Sequence, residues 1–185
     1  MSKEKLSIVD DNDNIIGIED RKVIHEKGML HREVHVYFLT PNNELIFQHR
    51  AKDKDTFPDM LDATVGGHVE MGDSYEKSAI KESLEETGCD ITASDLIPII
   101  KLHTTASDNV TGKTNHAFQQ EYIYLFNGKI EDLKIEDGKG LGFEAWSIEK
   151  LQNLNDAEKL KFISYLYEFI DSVLIDFINN KMKKI

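Results

Sequence analysis

The chain reads as an α/β domain. Three features predict this. Short runs alternate apolar and polar residues in the strand manner, as from Glu33 to Leu39. A helix is bounded by its own start and stop signals between Asp73 and Gly88. An apolar stripe recurs at helical spacing near the C-terminus. With 185 residues, 40% hydrophobic and 30% charged, the chain suits one globular domain spanning 1–185 with a real core.

The first elements are short. Leu6 to Val9 and Ile15 to Ile18 predict a strand hairpin within 5–20, turned at Asp11-Asn12-Asp13-Asn14. Arg21 to Gly28 suits a short helix. Glu33 to Leu39 places Val34, Val36 and Phe38 on one side of a strand, and Pro41-Asn42-Asn43 turns the chain into a second, Glu44 to His49. Leu61 to Val65 is a strand feeding Gly66-Gly67. The next helix runs from about Ser74 to Thr87, with Asp73 as N-cap, Glu76 as the capping-box acid and Gly88 as the stop. Leu96 to His103 and Ala117 to Phe126 read as longer strands, and the polar stretch Thr104 to His116 between them as a substrate loop. Phe143 to Trp146 is a last strand. Ser147 caps a short helix through Leu151, and a long helix covers about 156–183. Its stripe is Leu160, Ile163, Leu166, Tyr167, Ile170, Val173, Leu174, Phe177 and Ile178, expected to pack on the core; the alternative is a homodimer surface.

A net charge of −12 argues against a nucleic-acid polymer as partner, whose phosphates need a basic face, but not against a small phosphate ester delivered with metal ions. The single cysteine, Cys89, cannot form an internal disulfide and reads as a small buried hydrophobe. Met1 to Lys5 lacks an apolar signal core, and no apolar run approaches membrane-spanning length. The expected compartment is the cytoplasm, with no membrane partner.

Chemistry concentrates in Gly67 to Cys89. At about 100° per residue, Glu82, Glu85 and Glu86 share one face of the helix. Like charges at this spacing repel, and acids in the last turn oppose the macrodipole. A cation resolves both conflicts. Carboxylates plus a backbone carbonyl suit a hard ion, Mg²⁺ or alternatively Mn²⁺, and such ions bind diphosphates. The competing reading is a solvated acidic helix face.

The pattern from Gly67 through Asp73 to Lys81-Glu82, Glu85-Glu86 and Gly88 resembles the Nudix box of the Nudix hydrolases. The resemblance implies an α/β/α sandwich with a mixed central sheet. Upstream, His31-Arg32-Glu33-Val34-His35-Val36, Gln48-His49-Arg50 and Phe57-Pro58 resemble the branch that includes isopentenyl-diphosphate isomerase. The box departs from the family in four places: Asp73 for Glu, Lys81 for an Arg that braces the catalytic acids, and Ser83 and Cys89 for aliphatic residues. Lys81 keeps the charge but loses the bidentate fork.

The resemblance implies that Glu82, Glu85, Glu86 and the Gly67 carbonyl hold metal, with one acid orienting or deprotonating the attacking water and Lys81 beside them. Gly66 and Gly67 let the backbone approach metal and phosphate. Arg50 and Lys54 stand where the isomerase relatives place diphosphate-binding cations; a solvated basic pair is the competing reading. His35 and His68 match metal-site histidines of that branch, against which stands an ordinary structural role. Glu121 is either a further metal ligand, a base, or a strand-end surface acid.

The activity so implied is metal-dependent hydrolysis of a diphosphate bond in a small nucleoside diphosphate-linked or related X-linked diphosphate. Isopentenyl diphosphate isomerisation ranks lower, because that enzyme uses a Cys immediately before the Gly-His of its box, where this chain has Gly66. A non-catalytic Nudix-fold sensor ranks lower too, since the three glutamates are retained.

Overall fold

The structure, a computed structural model, describes residues 5–54, 56–136, 138 and 140–181. Residues 1–4 and 182–185, and with them the N-terminal segment and the expected end of the last helix at 183, lie outside the described residues.

A two-stranded hairpin comes first, β1 (Lys5–Val9) with β2 (Ile15–Asp20), followed by α1 (Arg21–Lys27). The Asp10 carboxylate accepts the backbone N–H of Asn12 and of Asn14 at 2.9 Å each, closing the turn as an Asx motif. The seven-stranded sheet is built from β3 (His31–Leu39), β4 (Glu44–Arg50), β5 (Leu61–Asp62), β6 (Val65–His68), β7 (Ile97–Ser107), β8 (Thr114–Leu125) and β9 (Gly140–Ser147). Its main path runs β5-β4-β3-β8-β7, with β9 on β4 and β6 on β3. The β3–β8 pair is parallel and the other pairs are antiparallel, so the sheet is mixed.

One edge of β3 is shared. Phe38 and Leu39 pair with β4, while Glu33 to Val36 pair with β6 in the register Val34↔Gly67 and His35↔Gly66. The glycine pair is therefore a strand partner of β3. Helix α2 (Tyr75–Thr87) covers one face of the sheet, packing Ala79 among Val34, Val36, Phe38, Ile46 and Val65. The other face, with Tyr37, Leu45, Phe47 and Ile123, is covered by the C-terminal segments. These are the three layers of an α/β/α sandwich.

The structure changes several expectations. Ser74, not Asp73, is the N-cap of α2: its hydroxyl accepts the Lys77 N–H at 3.1 Å. Asp73 instead pairs with the Lys77 ammonium at 2.5 Å, and Glu76 lies within the first turn without forming a capping box. Ser83 is fully buried and donates to the Ala79 carbonyl at 2.7 Å, so a hydroxyl at an aliphatic position leaves no unpaired group. Gly88 ends the helix at φ 74°. Cys89 is only half-buried.

Thr104 to His116 is mostly strand, because β7 and β8 extend toward each other and leave only a tight connection at 108–113. The expected helix over 156–183 is broken. After α3 (Ile148–Leu151) come α4 (Asp156–Lys159), α5 (Ser164–Phe169), a π-helical turn (Ile170–Leu174) and α6 (Ile175–Lys181). Between α4 and α5 the Leu61 N–H donates to the Lys161 carbonyl and the Ile163 N–H to the Leu61 carbonyl. Backbone pairing with β5 thus replaces helix there. It buries the consecutive Phe162 and Ile163 and leaves Leu160 79% exposed, off the core. No helix among the described residues is long and apolar enough to cross a membrane.

Asp13 ties the hairpin to the sheet. It sits at φ 63°, and its carboxylate accepts from Arg32 Nε at 2.6 Å, Lys101 Nζ at 2.7 Å and the Tyr75 hydroxyl at 3.1 Å. Burial pushes the carboxyl up, but Lys101 and Arg32 outweigh it and hold Asp13 below its ordinary 3.8. A group with a depressed folded value stabilises the fold above its unfolded pKa and loses that contribution as pH falls through the folded one. Asp13→Asn is expected to cost about 1–3 kcal/mol at neutral pH, the range for charge-assisted hydrogen bonds. Urea midpoints of parent and variant should converge below about pH 4; a constant gap down to pH 2 would remove Asp13 from this role.

Candidate active site and metal centre

The strand period places His31, Glu33, His35 and Tyr37 on the side of β3 opposite Val34, Val36 and Phe38. All four are buried, at 0%, 8%, 4% and 0% exposure. A row of buried polar residues on one strand face needs partners. Glu33 Oε2 accepts from Asn115 Nδ2 and Gln119 Nε2 at 2.9 Å each, and both residues come from β8. Glu33 Oε1 lies 3.4 Å from His68 Nε2 and 3.5 Å from His31 Nε2. His68 Nε2 in turn lies 3.0 Å from His25 Nε2, supplied by α1.

His25, His31, Glu33 and His68 each bring one ligand atom, all within 4.8 Å of one another. His31 Nδ1 is 3.0 Å from the Met29 carbonyl, so that nitrogen donates and Nε2 points toward the cluster. Three imidazoles with one carboxylate suit a divalent first-row transition ion. The electrostatics are those of the metal-free state, in which His68 is already neutral while His31 holds a proton toward Glu33 that an ion would displace. Burial pushes the Glu33 carboxyl up, but His31, His68 and His35 hold it well below the carboxylate range. Burial presses His31 down and the adjacent Glu33 more than offsets this, raising it. Burial, with Arg21, His31 and His25 nearby, holds His68 well below the ordinary imidazole value, in its neutral, ligating form.

The glycine pair joins this cluster to the acidic helix. The Gly66 N–H donates to Glu86 Oε2 at 3.0 Å. A Cβ on Gly67 would come within 2.3 Å of Glu82 Cγ and Cδ, so Glu82 lies flat on backbone that only glycine leaves open. Glu82, Glu86, Gly66 and Gly67 line one cavity with His68, Glu33 and His35.

The other expected residues divide. Arg50 and Lys54 line the same cavity. The Arg50 guanidinium is committed to protein, donating to Asp62 Oδ2 at 2.7 Å, the Thr56 carbonyl at 2.8 Å and the Phe57 carbonyl at 3.0 Å. It thereby shapes the loop that carries Lys54. Glu85 is exposed and outside the cavity wall. Lys81 reaches Glu70 at 2.5 Å and lies near enough to Glu85 and Glu82 for their charge to act on it. Glu121 is no surface acid: at 2% exposure it sits behind His35, with Oε1 3.2 Å from His35 Nδ1. His35 stands outside the histidine cluster and packs flat against Tyr165 of α5, the rings 14° apart. Burial presses His35 down, but Glu121 raises it to about 9.

Sequence reasoning passed over Arg21, His25, His31, Glu33, Asp62 and Tyr165. The polar half of β3 was visible as His31, Glu33 and His35 at every second position. Arg21, His25 and Tyr165 come from distant elements and carried no local signal.

A family model described as NUDIX domain matches residues 29–170. The chain belongs to the Nudix hydrolase family. A Nudix hydrolase of Clostridium acetobutylicum is 32% identical over 84% of this chain and 76% of its own. An isopentenyl-diphosphate delta-isomerase of Serratia proteamaculans is 26% identical over 83% and 80%. In fold, the chain is similar to a crystallographically solved Deinococcus radiodurans protein, with TM-score 0.65 and 21% identity over 89% and 99% of the chains. It is likewise similar to a MutT protein of Methanosarcina mazei, with TM-score 0.64 and 16% identity over 82% and 96%. Nudix enzymes use a divalent metal, and this chain carries a group of residues able to hold one.

Gly67→Ala tests the packing of the Nudix box directly. The added methyl must displace Glu82. The variant is expected to fold, with a melting temperature within a few degrees of the parent, and to lose Mn²⁺ binding at the glutamates, read by water-proton relaxation. Undiminished Mn²⁺ binding would show that the close approach is dispensable.

Proposed function

We propose that the chain is a Mg²⁺-dependent diphosphohydrolase of small X-linked diphosphates, nucleoside diphosphate-linked compounds among them. One observation supports this above all. The Gly66-Gly67 pair of β6 lets Glu82 and Glu86 line the same cavity as Arg21, Arg50 and Lys54. Carboxylates for a hard cation and cations for phosphoryl oxygens then face one space, an arrangement that suits a diphosphate.

In this reading Glu82, Glu85, Glu86 and the Gly67 carbonyl hold Mg²⁺, with Mn²⁺ as alternative, and His25, His31, Glu33 and His68 hold a transition ion. Bound metal supplies charge neutralisation at phosphorus and activates water. The chain's own residues do the rest. Lys54 and Arg21 draw the diphosphate in, and Arg50 fixes the loop around it. Tyr165 and Phe57 narrow the cavity. Glu86, braced by the Gly66 N–H, keeps one oxygen positioned to orient or deprotonate the attacking water. Glu121 acts on His35 rather than on metal. Lys81 braces Glu70, beside the box. The lone Cys89 and the charge of −12 support a reducing, cytoplasmic setting and a small-molecule partner.

Isomerisation of isopentenyl diphosphate is the second reading, favoured by the isomerase relatives. Against it stands Gly66. A Cβ there would meet His35 Cδ2 at 3.3 Å, so His35 crowds the space in which the isomerase would hold its Cys side chain. Half of the carbon acid–base pair is missing.

Glu82→Gln, Glu85→Gln and Glu86→Gln should each lower turnover of a diphosphate substrate by about two orders of magnitude or more, the scale of losing a charged catalytic group. Chelator should abolish activity and Mg²⁺ or Mn²⁺ restore it. The metal-free variants should melt no earlier than the parent, since a like-charge pair is relieved by a few tenths of a kcal/mol. Retained activity per folded molecule, or full turnover in metal-stripped protein, would contradict the assignment.

Incubation with isopentenyl diphosphate in deuterated water should give no dimethylallyl product and no carbon-bound deuterium, while another diphosphate is hydrolysed by the same preparation. Metal-dependent deuterium uptake would reverse the ranking of the two readings.

A further inference from the structure

The stretch expected to be a substrate loop and the strand end before it instead bring two histidines together on one strand pair. His103 on β7 and His116 on β8 lie diagonally across the antiparallel ladder, where His103 faces Phe118 and Thr105 faces His116. Alternation therefore puts both imidazoles on the same side of the sheet. Their Nε2 atoms are 2.9 Å apart, with the rings nearly parallel at 17°. This pair lies outside the cavity that holds the Nudix residues.

The protonation pattern is constrained. His116 Nδ1 is 3.2 Å from the Gly28 carbonyl, which can only accept. Nδ1 therefore carries the hydrogen, and His116 Nε2 presents its lone pair. Without metal, His103 Nε2 must donate to it. Once the His103 proton moves from Nε2 to Nδ1 through solvent, an ion gains two neutral imidazole lone pairs at once. The Gly28 carbonyl then acts as the outer partner that orients a ligating histidine. His103 is exposed, leaving room for water as further ligands. The nearest cation on the same strand, Lys101, is held by Asp13 at 2.7 Å.

Ligand type selects the class of ion, since imidazole nitrogen suits first-row transition metals. With metal–nitrogen bonds of about 2.0–2.1 Å, nitrogens at a right angle lie about 2.8–3.0 Å apart, and nitrogens at a tetrahedral angle about 3.3–3.4 Å. The 2.9 Å of the metal-free hydrogen bond lies within about half an ångström of both spacings, so the two ring nitrogens need only small movements to share an ion. We infer that His103 and His116 form a further metal site, separate from the active-site cavity, for a divalent first-row transition ion that takes imidazole nitrogen, Cu²⁺ foremost in that affinity series.

The test uses the full chain, stripped of metal and titrated with Cu²⁺. Beside any Cu²⁺ taken by the buried cluster, the parent should bind one whose electron paramagnetic resonance shows two coordinated nitrogens, and His103→Ala and His116→Ala should each remove that two-nitrogen signal. The affinity of that site should fall tenfold or more, since loss of even an outer partner costs on the order of tenfold. Mg²⁺-dependent diphosphate hydrolysis should be unchanged in both variants. His68→Ala, which disables the buried cluster, should leave the two-nitrogen Cu²⁺ signal intact. If His116→Ala loosens the fold by freeing the Gly28 carbonyl, His103→Ala, which breaks no backbone contact, decides. Unchanged Cu²⁺ stoichiometry and affinity in His103→Ala would overturn the inference. So would a two-nitrogen signal that disappears with His68 instead.

Discussion

Much of this molecule is organised around one buried carboxylate. Glu33 sits in the middle of the sheet at 8% exposure, and a charge there persists only if it is surrounded by donors. Those donors come from separate parts of the chain: His31 from its own strand, His68 from β6, and Asn115 and Gln119 from β8. Removing one donor would leave the carboxylate under-paired in a low-dielectric interior, which is among the costlier defects a fold can carry. Satisfying Glu33 therefore draws β6 and β8 against β3 from opposite edges. The same requirement assembles the ligand-like group with His25.

The glycine pair follows from that arrangement. Because β6 lies against Glu33 and His35, its residues Gly66 and Gly67 face His35 and Glu82 of α2. A side chain at Gly67 would collide with Glu82, and one at Gly66 would press on His35. Their absence lets two chemically different regions meet in one cavity, one rich in imidazole nitrogen and one of carboxylate oxygens. The acids that were unfavourable as an isolated helix end are partly accommodated even before a cation arrives, since the Gly66 N–H stabilises Glu86.

The outer elements close the cavity. Arg50 spends its guanidinium on Asp62 and on two carbonyls of the loop before β5, converting a flexible connection into a wall. Tyr165 of α5 lies over His35, and α5 is placed by the backbone pairing of 161–163 with Leu61. The π-helical turn at Ile170–Leu174 continues that segment with Ile170 and Leu174 fully buried. On the opposite side the hairpin is held by Asp13, whose partners Arg32, Tyr75 and Lys101 belong to β3, α2 and β7.

Local pattern alone determined a good deal. The alternation in β3, the Gly88 stop of α2 and the spacing of Glu82, Glu85 and Glu86 are each written within a few residues, so periodicity and capping rules reach them. The family motif is local for the same reason. What tertiary structure decided depends on long-range partners. Asp13 looked like an ordinary turn residue, and Thr104 to His116 like a polar loop, because the strands and side chains that engage them lie far away in sequence. The apolar stripe at 160–178 suggested one continuous helix; only the presence of β5 beside it made an extended break at 161–163 more favourable than another helical turn. The histidine cluster draws on α1, β3 and β6, and spacing rules cannot see a site whose residues become neighbours only when the sheet closes around Glu33.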